Sequence, residues 1–402
     1  MTAAMPFDRR AFIAGAGAIA CAGAARAVPG DASLDALARA KGMRFGTCLG
    51  AGQAGTPTGG FADPAYLTLI AGQCGLIVPE NEMKWGVLRP SADRFDFAPA
   101  DRLVAWATQH GLGVRGHNLL WQNRRWTPAW LEAHDFGSAP RVAGERMLRA
   151  HVETVAKRYA GTVRSFDVVN EAIDEKTGAY RETNLSHAIG GTVETIALAF
   201  HTARAAAPHA QLVYNDYMSW DASSATHRAA VLTLLETLKA QNVPVDALGI
   251  QGHIGSNGAG AATTLGAQVD EWRRFLDRVT ATGLGLLVSE FDVNDKGLPA
   301  DVAVRDRAVA DLARSYLDVT LAYAQVDTLM CWGLGDRYSW LQTTSPRVDN
   351  LPKRPLPYDD ALRAKPLRAA IAAALAAAPQ RTGRSTRTQS MSTAPAGVGA
   401  VE

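Results

Sequence analysis

The sequence predicts an α/β protein: a single closed (β/α)8 barrel of the TIM type, with its active site at the C-terminal ends of the strands. Two observations predict it. Eight short apolar runs alternate with longer stretches whose apolar residues recur at helical spacing. Nearly every run then ends in polar and aromatic residues, which is where a parallel barrel gathers its functional groups.

The apolar runs are 44–49, 75–78, 113–115, 165–169, 211–215, 247–251, 285–289 and 328–333. They read as strands buried on both faces, because they are continuously apolar instead of alternating. The helical stretches are 100–110, 141–159, 192–207, 227–241, 269–282 and 302–323. Repeated strand–helix alternation implies a parallel sheet. Eight units in about 330 residues fit a closed barrel, whose usual length is about 200 to over 400 residues. No internal repeat or interdomain linker interrupts the pattern, so one catalytic domain is expected over 28–378. Its end is Ala-rich and helical at 369–378.

The ends of the chain differ. Asp8-Arg9-Arg10 precedes a weakly apolar Ala/Gly-rich run, and Ala25-Arg26-Ala27 places small residues at cleavage spacing. Residues 1–27 therefore resemble a twin-arginine export signal, which implies a periplasmic or extracellular enzyme. The apolar run is too short to span a bilayer. Gly15-Ala16-Gly17 imitates a dinucleotide fingerprint, but no strand precedes it. Residues 379–402 are polar without a periodic apolar face, so a disordered tail is expected.

The chain has 402 residues, 47% hydrophobic and 20% charged, an ordinary globular composition. The formal net charge of +2 supplies no strong field toward nucleic acid or an anionic membrane. Neither partner is expected of the mature protein, and a monomer is. Beyond the leader, Cys48, Cys74 and Cys331 have no short spacing. Their odd count argues against a disulfide framework or a zinc site; at most one bridge is possible, and free buried thiols are expected.

Two carboxylates carry the chemistry. Glu171 closes Phe166-Asp167-Val168-Val169-Asn170-Glu171, and Glu290 lies in Leu287-Val288-Ser289-Glu290-Phe291-Asp292-Val293. An acid on a buried strand is costly without a partner or a purpose. Two of them at matching places on two strands suggest a paired-carboxylate site. Around them, the other strand ends supply Trp121, Trp332 and Trp340 as flat apolar faces for pyranose rings. Asn81, Lys84, His117, Asn170 and Gln251 supply groups for ring hydroxyls. No phosphate-cradling loop and no metal-ligand spacing occurs.

These motifs resemble glycoside hydrolase family 10, the endo-1,4-β-xylanases. The resemblance runs from about Arg44 to Trp340. It rests on Pro79-Glu80-Asn81-Glu82-Met83-Lys84-Trp85, Gly116-His117 with Leu119 and Trp121, Asp167 to Ala172, and Asn215-Asp216-Tyr217. Gln251 with His253, Ser289 to Val293, and Trp332 to Trp340 complete it. The resemblance implies that Glu171 is the acid/base and Glu290 the nucleophile. It implies that His253 and Asp292 orient the nucleophile, and that Asn170, Asn215 and Gln251 surround the sugar at the cleavage point. Glu80, Asn81, Lys84, His117 and Trp121 match the glycone side, and Trp332 and Trp340 the aromatic walls. The implied partner is xylan or xylo-oligosaccharide, with no cofactor and no metal. Retaining double displacement would place the carboxyl groups about 5–5.5 Å apart.

The sequence departs from the family at Gln122-Asn123-Arg124-Arg125-Trp126, after Trp121, where the segment is altered and longer. Met218 and Gly86 are further departures. Arg124 and Arg125 read either as contacts for acidic side groups on xylan or as flexible solvated side chains. A glycosidase acting on cellulose or aryl glycosides, and a non-catalytic carbohydrate-binding barrel, are the alternative functions. The second gives no reason for both glutamates to stand with His253 and Asp292.

Overall fold

A computed structural model describes residues 32–255 and 261–381, the side chains of 261–266 excepted. The expected leader, and the expected tail beyond residue 381, lie outside the described residues.

The described strands are β1 Arg44–Leu49, β2 Leu76–Pro79, β3 Gly113–Trp121, β4 Val163–Asn170 and β5 Gln211–Asp216. Then come β6 Ala247–Ile250, β7 His253–Gly255, β8 Gly285–Asn294 and β9 Val326–Cys331. They run in the order β6-β5-β4-β3-β2-β1-β9-β8-β7, and β6 also pairs with β8. That last pairing closes an eight-stranded barrel, and each neighbouring pair is parallel. The predicted (β/α)8 TIM barrel is the fold observed.

The short strand β7 continues β6 beyond Gln251-Gly252 and pairs His253 with Asp292 on β8. Gly252 has φ +79°, a turn that a side chain would strain, and it splits the sixth barrel strand in two. Two strands end five or more residues beyond their apolar runs. β3 reaches Trp121 and β8 reaches Asn294. Polar residues such as His117 and Asp292 end the apolar signal but stay in the ladder. Register shifts fall at His117/Leu120, Asp167/Val169 and Val288/Phe291, and such irregularities re-aim side chains next to them.

The core follows from the apolar runs. Phe45, Phe166, Leu212, Leu286 and Leu329 are fully buried, each contributing about 1.5–3 kcal/mol relative to exposure. The helices include Ala98–Gln109, Pro140–Tyr159, Thr192–Ala206, Ala225–Ala240, Ala261–Ala281, Val302–Thr320 and Pro366–Ala377. Pro64–Gln73 was not predicted, because its sequence is apolar nearly all round and offers no periodic contrast. Its start is nonetheless encoded: Asp63 accepts from Ala65 N, and Pro64 follows it in the first turn. Helix Pro366–Ala377 packs against Val302–Thr320 and Leu34–Arg39. Beyond it, Arg381 donates to the carbonyls of Leu321 and Val326, so the chain stays docked past residue 379, where the tail was expected to begin.

The segment after Trp340 is held by buried charge. Asp295 is fully buried and lies 3.4 Å from Arg305, 3.6 Å from Lys353 and 3.9 Å from Arg347. Lys353 also donates to Asn294 Oδ1 at 2.6 Å. Asp336 accepts from Lys365 at 2.9 Å. Unpaired, each charge would be too costly to bury; through these pairings, Asn294 and Asp295 tie this segment to the end of β8, and Asp336 ties it to the loop after β9. Cys48, Cys74 and Cys331 are free and buried, as expected.

Candidate active site

Glu171 follows β4 directly and has φ +54°, a left-handed conformation uncommon for a residue with a side chain. Its backbone N–H donates to Asn215 O at 2.9 Å, while Ala172 N donates to Tyr214 Oη at 3.2 Å. These two bonds from β5 fix the turn. The Glu171 carboxylate then accepts from Trp121 Nε1 at 2.9 Å, Gln251 Nε2 at 2.9 Å and Asn170 Nδ2 at 3.2 Å. Burial pushes its pKa up, and the charges of Asp216 and Glu290 push the same way, against the bonds from Gln251 and Trp121.

Glu290 projects from β8 and is biased the other way. Its Oε1 accepts from Asn215 Nδ2 at 2.8 Å, and His253 Nε2 lies 3.3 Å from Oε2. His117 Nδ1 is 3.9 Å from Oε1. Burial alone would raise this carboxyl. The His253 hydrogen bond, the charges of His117 and His253, and the Asn215 hydrogen bond outweigh burial and hold the pKa at about 2. His253 Nδ1 lies 3.0 Å from Asp292 Oδ1, and Asp292 Oδ2 accepts from Trp340 Nε1 at 2.7 Å. Burial would lower His253, but the Asp292 charge and the bonds to both carboxylates carry it up to about 10.

The two acids are joined through amides. Asn215 Nδ2 also donates to Asn170 Oδ1 at 2.8 Å, and Asn170 Nδ2 reaches Glu171. Ser289 Oγ donates to Asn215 Oδ1 at 2.6 Å, which orients the Asn215 amide. Gly249 on β6 permits this packing, since a Cβ there would lie 2.3 Å from Asn215 Oδ1.

The other predicted residues assemble beside this pair. Lys84 Nζ donates to Asn81 Oδ1 at 2.8 Å and lies 4.9 Å from the Trp121 ring centre. Glu80 is buried at the end of β2, and burial, with the charges of Glu82 and Glu290, pushes it up to about 8 against the pull of Lys84. The Trp332 ring meets His117 edge-on at 5.3 Å, and Trp340 tilts against His253 at 5.0 Å. Trp332 is only 6% exposed, so its predicted open face is largely covered. Trp121 was also predicted to offer a free face, but Trp126 stacks on it at 5.0 Å and 17°.

Several supporting residues were missed. Asp216 accepts from Tyr214 Oη at 2.5 Å and from Tyr217 N at 2.8 Å, with His227 Nε2 at 3.1 Å. Asp216 acts on Glu171 as a like charge that raises it, whereas Asp292 acts on Glu290 through His253. Asp167 joins Arg115 at 2.5 Å to His117 at 3.0 Å. Asp216 and Asp167 lie inside the quoted motifs; His227 and Arg115 carry no local signal, because their partners are close only in the folded chain.

A pair of carboxylates with opposite proton preference at the end of a barrel, Glu290 buried and Glu171 partly exposed, can supply one general acid and one anion. A family model described as Glycosyl hydrolase family 10 matches residues 33–374. The chain is 31% identical over 311 residues to endo-1,4-beta-xylanase B of Paenibacillus barcinonensis, covering 74% of this chain and 87% of that one. It is 30% identical over 278 residues to endo-1,4-beta-xylanase B of Thermotoga neapolitana, covering 69% and 74%. Its fold is similar to xylanase 10B from Thermotoga petrophila RKU-1 in complex with xylobiose, with a TM-score of 0.73, 28% identity, and coverage of 85% and 97%. With most of its length matched by that family model, the chain belongs to glycosyl hydrolase family 10.

Proposed function

We propose that the protein is a retaining endo-1,4-β-xylanase that cleaves internal bonds of xylan by double displacement. The observation that carries the reading is the opposite bias of the two joined carboxylates: Glu171 is held toward its protonated form and Glu290 toward its anion. The similarity to proteins named as xylanases supports the choice of substrate.

Glu290 attacks the anomeric carbon, and the proton of Glu171 passes to the leaving glycosidic oxygen. Once the glycosyl–enzyme bond forms, the Glu290 charge that helped raise Glu171 is gone. Glu171 then ionises more readily and takes a proton from the incoming water. His253 and Asp292 keep Glu290 charged and oriented. Asn170 is the donor to the sugar 2-hydroxyl, a contact that strengthens in the transition state. Glu80, Asn81, Lys84, His117 and Trp121 hold the glycone side, and Gln251, Asn215, Trp332 and Trp340 shape the remainder. The proposal extends to export through the twin-arginine leader: replacing Arg9 and Arg10 by lysine should retain the protein in the cytoplasm.

The test is reducing-sugar release from xylan, cellulose and mannan by the wild type, Glu171→Ala and Glu290→Ala. Xylan is the expected substrate, and each variant should lose about two to four orders of magnitude. Azide should rescue Glu290→Ala on an activated xyloside with inverted product configuration. Near-normal xylan turnover by Glu290→Ala would remove the nucleophile assignment.

A further inference from the structure

We propose that Arg125 and Trp126 form an additional sugar subsite beside the glycone residues, one that selects a xylan unit carrying a uronate carboxylate. This inference rests on the xylanase reading and adds a substrate class to it.

The segment after Trp121 is built as a ladder leading outward from the reacting centre. Trp121 donates its indole N–H to Glu171, and Lys84 Nζ lies 4.9 Å from its ring centre. Trp126 stacks on Trp121 at 5.0 Å. The Arg125 guanidinium lies 4.9 Å from the centre of the Trp126 ring. The ladder begins at half-buried Lys84 and ends in solvent, where Trp126 is 49% exposed. A large, half-exposed aromatic ring next to a sugar cleft is a natural platform for a pyranose. The concavity beneath it is lined by Lys84, Trp121, Trp126, Thr127, Thr183 and Leu185.

The segment is held in place by its own bonds. Trp126 N and Thr127 N donate to Asn123 O at 2.9 and 3.0 Å, and Arg125 N donates to Asn123 Oδ1 at 3.2 Å. Arg124 pairs with Glu132 at 3.0 Å, and the other oxygen of Glu132 accepts from Asn184 N at 3.2 Å. The platform is therefore anchored to the next loop.

The two neighbouring arginines differ in the property that decides binding. Glu132 neutralises Arg124. Arg125 has no carboxylate partner among the described residues, so its charge is available. A guanidinium packed on an indole keeps its in-plane N–H groups free and restricted in direction, which suits bidentate binding of a carboxylate. Unsubstituted xylan is neutral and makes no use of that charge; a uronate side group on the chain does.

The test compares glucuronoxylan with the same polymer after its carboxyl groups are reduced to alcohols. The wild type should show kcat/KM about three- to tenfold higher on the acidic form, as expected for one partly exposed but ordered charge pair. Salt should erode that preference. Arg125→Ala should bring the ratio to near one while leaving kcat/KM on the reduced polymer within about twofold of wild type. Arg124→Ala, whose charge is already paired, should keep the preference. Trp126→Ala should lower kcat/KM on both polymers. Equal rates of the wild type on both polymers, or equal losses on both in Arg125→Ala, would overturn the subsite while leaving the xylanase reading intact. A wild type that cleaves neither polymer would overturn the xylanase reading itself, and the subsite with it.

Discussion

Replacing Asp292 by Asn separates the charge of the His253–Asp292 pair from its shape. Asp292 accepts from Trp340 and sits 3.0 Å from His253 Nδ1, so the isosteric amide can serve only one of these donors. The Asp292 charge is the largest of the influences that carry His253 from 6.5 up to about 10. That rise corresponds to about 5 kcal/mol favouring the imidazolium. Without the Asp292 charge, burial is opposed only by Glu290, and the His253 pKa should fall. Glu290 then loses the His253 share of what holds it at about 2 instead of 4.5, a total bias of about 3 kcal/mol to which His117 and Asn215 also contribute. The acid limb of kcat/KM, which reports the free enzyme, should move up by about one to two pH units, measured with an aryl xylobioside. Stability should change in a matching window. The Glu290 contribution is present above pH 4.5 and is lost as pH falls toward about 2. The His253 contribution is fully present below pH 6.5 and is lost as pH rises through about 10. The deficit of the variant should therefore be largest between those pKa values of 4.5 and 6.5. An unmoved acid limb in a folded Asp292→Asn protein would refute the coupling.

Three further perturbations test other parts of the site. Asp216→Asn removes a like charge that helps raise Glu171, whose other charged neighbours include Glu290 and Lys84, so the basic limb of kcat/KM should move to lower pH by up to about one unit; a limb that moves upward contradicts this. Glu80→Gln removes a carboxyl whose folded pKa is about 8 against 4.5, a cost absent below pH 4.5 that grows as pH rises toward 8 and reaches on the order of 5 kcal/mol. Urea melts at several pH values should show that the variant loses less stability than the wild type over that interval, and parallel curves would sink the idea. Gly249→Ala would place a Cβ 2.3 Å from Asn215 Oδ1, displacing the amide that links Glu290 to Asn170. Turnover should fall about tenfold or more with only a modest loss of melting temperature; unchanged kcat would show that the amide link is dispensable.

Much of the site was legible because barrel strands end where chemistry begins. Glu171, Asn170, Gln251, Glu290 and Asp292 each stand within a few residues of an apolar run, so one-dimensional order located them. His253 was legible for the same reason, although its strand breaks at Gly252 before resuming. Local patterning could not show which neighbours bias each carboxyl. His227 reaches Asp216 from a helix, and Arg115 reaches Asp167 from another strand. The stacking of Trp126 on Trp121 was hidden too, since the four residues of irregular chain between them give no period from which a ring contact can be read.

By itself, the sequence determined the alternation of strands and helices, the closed barrel, and the two acids at its catalytic end. These follow from periodicity and from the cost of burying charge, both written in local order. The sequence implied through resemblance which acid favours its proton; only the tertiary structure shows what biases each carboxyl. That bias depends on desolvation and on donors and charges contributed by other strands: Asn215, His253 and His117 around Glu290, and Asp216 behind Glu171. Electrostatic energy depends on distance through space, and barrel closure sets those distances.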